Sequence, residues 1–78
     1  MTTSTLQLDN SELEIDWEVE NISFDHLHGT HYASAPRLIN IRLIAHVIGE
    51  EFDITASLTV AQRTRLEEQA EEYIAGLV

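Results

Sequence analysis

The chain has no cysteine and no lysine, one proline, three glycines and five aromatic residues among 78. Without cysteine there is no disulfide, no zinc-thiolate site and no thiol nucleophile. A domain this short lies near the lower limit for folding on one core, so its packing must serve without a covalent staple. The absence of lysine leaves 4 arginines against 14 carboxylates, a formal net charge of −10. Such a chain repels phosphate, which argues against direct binding to nucleic acid or anionic membrane and favours a basic protein surface as partner. No apolar run approaches the roughly 18 residues of a membrane span, and Met1 to Asn10 lacks the basic start and apolar stretch of a secretion signal, so a soluble, cytoplasmic protein is expected. There is also no glycine-rich phosphate loop and no nucleophile in a recognisable setting. The expectation is a binding protein without cofactor rather than an enzyme.

What the sequence does have is a run of strict alternation from Ser11 to Glu20. Leu13, Ile15, Trp17 and Val19 share one parity; Glu12, Glu14, Asp16, Glu18 and Glu20 share the other. In a strand this gives one apolar and one anionic face. The parity slips before Ile22 and Phe24, and a one-residue bulge near Asn21 would keep both on the core face. Asp25 to Pro36, with its histidines, Gly29 and Pro36, reads as a loop of 12 residues, longer than the usual hairpin connection of about 2 to 5. A second strand follows from Arg37 to about Ile48, with Ile39, Ile41, Leu43, Ala45 and Val47 on one face. Antiparallel pairing that sets Phe24 against Arg37 places Val19 opposite Ile41, Trp17 opposite Leu43 and Ile15 opposite Ala45. On the other face Glu18 meets Arg42 and Glu14 meets His46, which leaves Glu12, Asp16 and Glu20 unanswered.

After a turn at Gly49 to Glu51, Phe52 to Ile54 reads either as a short third strand or as a segment that closes the sheet edge. Thr59 with Gln62 three residues later forms a capping-box signature for a helix from Val60 to about Ala75, closed by Gly76. Leu66, Ala70, Tyr73, Ile74 and Leu77 form its apolar stripe. Glu67, Glu68, Glu71 and Glu72 point away, and the last two sit where the helix dipole disfavours anions. The fold class is therefore α+β: a small antiparallel sheet of two long strands, with or without a short third, and one C-terminal helix packed on one face. Residues 1 to 10 read as a flexible arm, with Leu6 and Leu8 available to the sheet, and residues 11 to 78 as a single domain.

The order of strand, long loop, strand, Phe52-Asp-Ile-Thr55 and Leu58-Thr59 capping an acidic helix resembles a group of small acidic proteins of tailed bacteriophages. The residues that carry the likeness run from about 13 to 75 and include Leu13-Glu-Ile-Asp-Trp-Glu-Val19 and Glu67, Glu68, Glu71 and Glu72. In those proteins the loop is richer in glycine and proline than Asp25 to Pro36. The resemblance implies a small viral protein acting in a host cytoplasm on a host protein, and it brings no catalytic residues.

Three groups of side chains are candidates for the working surface. One comprises the carboxylates Glu12, Asp16 and Glu20 on the strand with Glu67, Glu68, Glu71 and Glu72 on the helix. Alternate strand residues lie about 6.8 Å apart, close to the phosphate spacing of a nucleic-acid strand, so such a row could occupy the basic groove of a protein that handles nucleic acid. The second is the loop around His28 and Tyr32, where a tyrosine could anchor an interface. The third is His26, His28 and His31 beside Asp25. Their spacing could present two imidazoles to a zinc, copper or nickel ion, but ligands from other elements are wanting apart from His46, so no metal is expected. Uncovered sheet edges, with Ile44 and Ile48, also point to a homodimer, and a structural protein that assembles with its own kind is the alternative reading.

Overall fold

The computed structural model describes residues 1–26 and 29–77, with the backbone alone for Phe24, His26 and His31. Four strands, β1 (Thr2–Gln7), β2 (Ser11–His26), β3 (Gly29–Val47) and β4 (Glu50–Asp53), pair in chain order as an antiparallel meander. A single 3-10 turn at Thr55–Ser57 leads to the helix α1 (Val60–Ala75). This is the α+β architecture anticipated from the sequence, with β1 added at one edge.

The alternating segment forms the base of β2 and points its apolar parity at the helix. Leu13, Ile15 and Trp17 from β2, Ile41 and Leu43 from β3, and Ala70 and Ile74 from α1 make the core. Leu6, Leu8, Leu38, Ile54, Leu58, Leu66 and Tyr73 pack around it, partly buried. The helix starts where its cap requires: the Gln62 amide donates to Thr59 Oγ1 at 3.1 Å and the Thr59 amide to Gln62 Oε1 at 2.9 Å. These two bonds satisfy donors that the first turn would otherwise leave without partners. The segment expected as an arm is β1, held by Leu6 and Leu8 and by the Trp17 indole N–H, which donates to Ser4 Oγ at 2.9 Å.

The register differs from the expectation because β2 and β3 stay paired as far as His26 and Gly29, where a loop from Asp25 to Pro36 was expected, and because the bulge lies elsewhere. Pairing shifts between Asp16 and Trp17, with Asp16 opposite Asn40 and Trp17 opposite Leu38, so the extra residue is Ile39 in β3. Leu38 and Ile41 are an odd number of positions apart, and only an inserted residue lets both face the core. Ile15 therefore meets Ile41, Leu13 meets Leu43 and Val19 meets Pro36, instead of the pairs anticipated. No shift occurs at Asn21, and Ile22, opposite Ala33, lies on the same parity as Glu18 and Glu20, away from the core face. Asp25 to Pro36 is not a loop in its described part: Gly29 to Pro36 continues β3 and pairs with Val19 to His26.

Beyond Trp17 and Leu38 the two long strands leave the helix behind. The molecule measures 59 × 23 × 18 Å with a radius of gyration of 16.0 Å, whereas a compact chain of this length would have about 11.5 Å. The excess is a two-stranded arm roughly 30 Å long at the usual rise per residue. On it Val19, Ile22 and Tyr32 are exposed.

Two features close the other end. Ile48 and Gly49 connect β3 to β4 with φ of 49° and 76°, the backbone of a type I′ turn, in which a β-branched residue is strained. The Leu43 amide donates to Thr55 Oγ1 at 2.8 Å, and that hydroxyl donates to Asp53 Oδ1 at 2.6 Å. The same carboxylate accepts the Thr55 amide at 3.0 Å, and Leu43 O accepts the Ile54 amide at 2.9 Å. This relay turns the chain from the sheet edge toward the helix.

Candidate binding surface

The anionic row of β2 lies on the sheet face opposite the helix, and most of it is answered from β1 and β3. Arg42 is the hub. Its guanidinium donates from Nε to Glu14 Oε2 at 3.0 Å, from Nη1 to Asp16 Oδ2 at 2.9 Å and from Nη2 to Asp16 Oδ1 at 3.2 Å. The hydrogen bond to Glu14 and the charge of Asp16 hold the arginine above its ordinary pKa, the first more than the second. Thr3 Oγ1 adds a bond to Asp16 Oδ1 at 2.8 Å. Arg37 reaches Glu18 at 3.4 Å. Gln7 Nε2 donates to Glu12 Oε1 at 3.0 Å, and His46 lies 3.4 Å from Glu12 and 3.8 Å from Glu51.

These partners correct the sequence reading. Glu14 takes Arg42 and Glu18 takes Arg37, because Gly29 to Pro36 pairs with β2 instead of looping out and the bulge at Ile39 adds one further position. Asp16, expected as a free contact residue, is only 6% exposed and fully engaged. Glu12 is likewise held. Glu20 is exposed, opposite Ala35, with no ion pair among the described residues.

The helix presents a different picture. Arg63 Nε donates to Glu67 Oε1 at 3.0 Å, one turn away, and Arg63 Nη2 to Asn40 Oδ1 at 3.3 Å, so Glu67 is paired and partly covered. Glu68, Glu71 and Glu72 are exposed, and no cation pairs with them among the described residues. Glu71 borders a recess of about 160 Å³ with Leu38 to Ile41, and Glu72 one of about 380 Å³ with Leu6, Leu8 and Tyr73.

Tyr32 stands on the arm opposite Ser23, 78% exposed. His28 lies outside the described residues, as do the side chains of His26 and His31, and the proposed histidine cluster falls there. Among the described residues no group of three metal-binding side chains converges on one point. No helix among them is long and apolar enough to cross a membrane.

Two features escaped the sequence reading. Arg65 is exposed without an ion pair among the described residues and lines an open apolar recess of about 290 Å³ with Leu43, Leu58, Ala61, Gln62 and Leu66. Asp53 is held below the usual carboxylate range by the Thr55 hydroxyl first, then by the Thr55 amide and the charge of Arg42. The spacing of Asp53 and Thr55 is that of an Asx turn and could have signalled the second feature; nothing in the spacing signals the first. No family model, curated protein or solved structure matches the chain.

Proposed function

We propose that the protein is a non-enzymatic binding module that docks the outer face of α1 on a basic surface of another protein. One observation carries the reading: Glu68, Glu71 and Glu72 are exposed and lack cationic partners among the described residues, while Glu12, Glu14, Asp16 and Glu18 are engaged within the sheet. Glu71 and Glu72 also oppose the helix dipole, so local stability does not account for them. A net charge of −10 would steer a basic partner from a distance and speed its association. The resemblance to small phage proteins suggests a host protein as the partner, and a basic surface of the kind that holds phosphate points to one that handles nucleic acid.

The test compares Glu68, Glu71 and Glu72 changed together to Gln with the single change Glu20→Gln. Each is used to capture proteins from a bacterial lysate at low and high salt, and the captured protein is then titrated in purified form. The triple variant is expected to lose most of the affinity and most of its salt dependence, since exposed charges are screened within about 8 Å at physiological salt. Equal affinity of the triple variant and the parent would refute the reading.

A further inference from the structure

The arm is a second surface, chemically unlike the first. From Glu18 to His26 and from Gly29 to Arg37 the strands β2 and β3 pair only with each other, since β1 ends opposite Trp17 and β4 reaches Ile44. A two-stranded ribbon is marginal in water, and this one carries exposed Val19, Ile22 and Tyr32. Its two edges differ in charge. The β2 edge bears Glu18, Glu20 and Asp25, whereas no carboxylate occurs between Gly29 and Ile48, although the chain has 14. Two copies of a chain with net charge −10 repel at most points of contact, and the β3 edge lies in the longest carboxylate-free stretch of the chain, where they can meet without opposing carboxylates.

We propose that the protein self-associates by antiparallel pairing of the β3 arm edge, around Tyr32, with the same edge of a second copy. Pro36 has no N–H and faces Val19, so that pair is one whose backbone groups point off the edge. By the alternation of an antiparallel ladder, Ser34, Tyr32 and Thr30 are in the same phase and present their N–H and C=O groups outward. Pro36 ends the run, as proline does on natural edges. A two-fold axis at Tyr32 sets Thr30 of each copy against Ser34 of the other and brings the two Tyr32 residues together, so the same residues face one another on both sides of the axis. The seam joins the arms near their tips and holds the helices and their carboxylates apart. It is short, so the association is at the weak end of protein interfaces.

Sedimentation equilibrium of the full chain, from about 5 to 500 µM, covers the weak range. The parent should shift from monomer to dimer across it, and more readily at high salt, because salt screens the repulsion between copies. This is opposite in sign to the docking of α1 on a basic partner, so the failure of one proposal is distinguishable from the failure of the other. Ser34→Pro removes an outward N–H and keeps the backbone pairing with β2, at the loss of the bond that Ser34 Oγ donates to Asn21 Oδ1 at 3.0 Å; Tyr32→Glu places two carboxylates on the axis. Both should remain monomeric over the range, at least 10-fold weaker than the parent, while Thr64→Glu, on the exposed helix surface, should dimerise like it. Hydrogen exchange of the parent at the Thr30, Tyr32 and Ser34 amides should slow with concentration. The proposal is overturned by a parent that stays monomeric, by exchange at those amides that does not change with concentration, or by Tyr32→Glu dimerising as the parent does. The last two readings hold even if Ser34→Pro fails to fold.

Discussion

Replacing Thr55 by Val tests the relay that joins the sheet edge to the helix. The substitution keeps shape and volume but deletes the hydroxyl that accepts the Leu43 amide at 2.8 Å and donates to Asp53 at 2.6 Å. Leu43 is 8% exposed, so its amide has little access to water, and an unmatched donor there costs about 1–3 kcal/mol. Against a total stability of roughly 4–12 kcal/mol for a chain of this length, that is a large share. At about 4–8 °C per kcal/mol, melting should fall by about 8–16 °C for a loss near the middle of the range. Thr55→Ser, which keeps the hydroxyl, should recover most of the difference.

The relay also has a signature in acid. Asp53 has a lowered pKa in the folded state, so its contribution is present above the unfolded value, near pH 4, and is lost as pH falls through the lower folded value. Thr55→Val removes the largest cause of that lowering, so the gap between parent and variant should narrow in strong acid. Urea titrations followed by Trp17 fluorescence at pH 7 and at successive values below pH 4 read both effects. A variant within about 0.3 kcal/mol of the parent at pH 7, or a gap that does not change with acid, would refute the reasoning, because the unmatched donor should cost at least about 1 kcal/mol.

Ile48→Asn should raise stability by up to about 1 kcal/mol in thermal melts, since asparagine tolerates the left-handed backbone that isoleucine adopts at φ 49°. Trp17→Ala should cost about 3–5 kcal/mol and abolish the cooperative transition seen by far-UV circular dichroism. Asp16→Ala should lower the urea midpoint more than Glu20→Ala, because Asp16 holds Arg42 and Thr3 while Glu20 is exposed.

The sequence displayed the helix and the core of β2 well because each rests on a local rule. Thr59 and Gln62 mark the cap through two hydrogen bonds three residues apart, and Leu13, Ile15 and Trp17 alternate without interruption. The pairing of β2 with β3 was harder to read. Ile39 looks like a core residue by its hydrophobicity and parity, yet it is the bulged residue, 45% exposed. Only the joint demand that Leu38 and Ile41 face the helix identifies it. Gly29 to Pro36 looked like a loop because small and polar residues are poor strand formers, and that judgement presumes a strand with a buried face, which the arm lacks. For the surface, charge was legible and its availability was not: Glu12, Asp16 and Glu20 have the same spacing in the sequence, but the register gives partners to the first two and leaves the third exposed.

The strictly sequential order of the meander bears on how the chain reaches this state. Every strand pairs with its neighbour in sequence, so the ladders can zip by local turns, on the microsecond scale of hairpin closure. The helix comes last and supplies Ala70 and Ile74. Until it docks, the row formed by Leu13, Ile15, Trp17, Ile41 and Leu43 faces water on an otherwise complete sheet. That row is covered by α1, so conditions that melt the helix alone should expose it and favour aggregation.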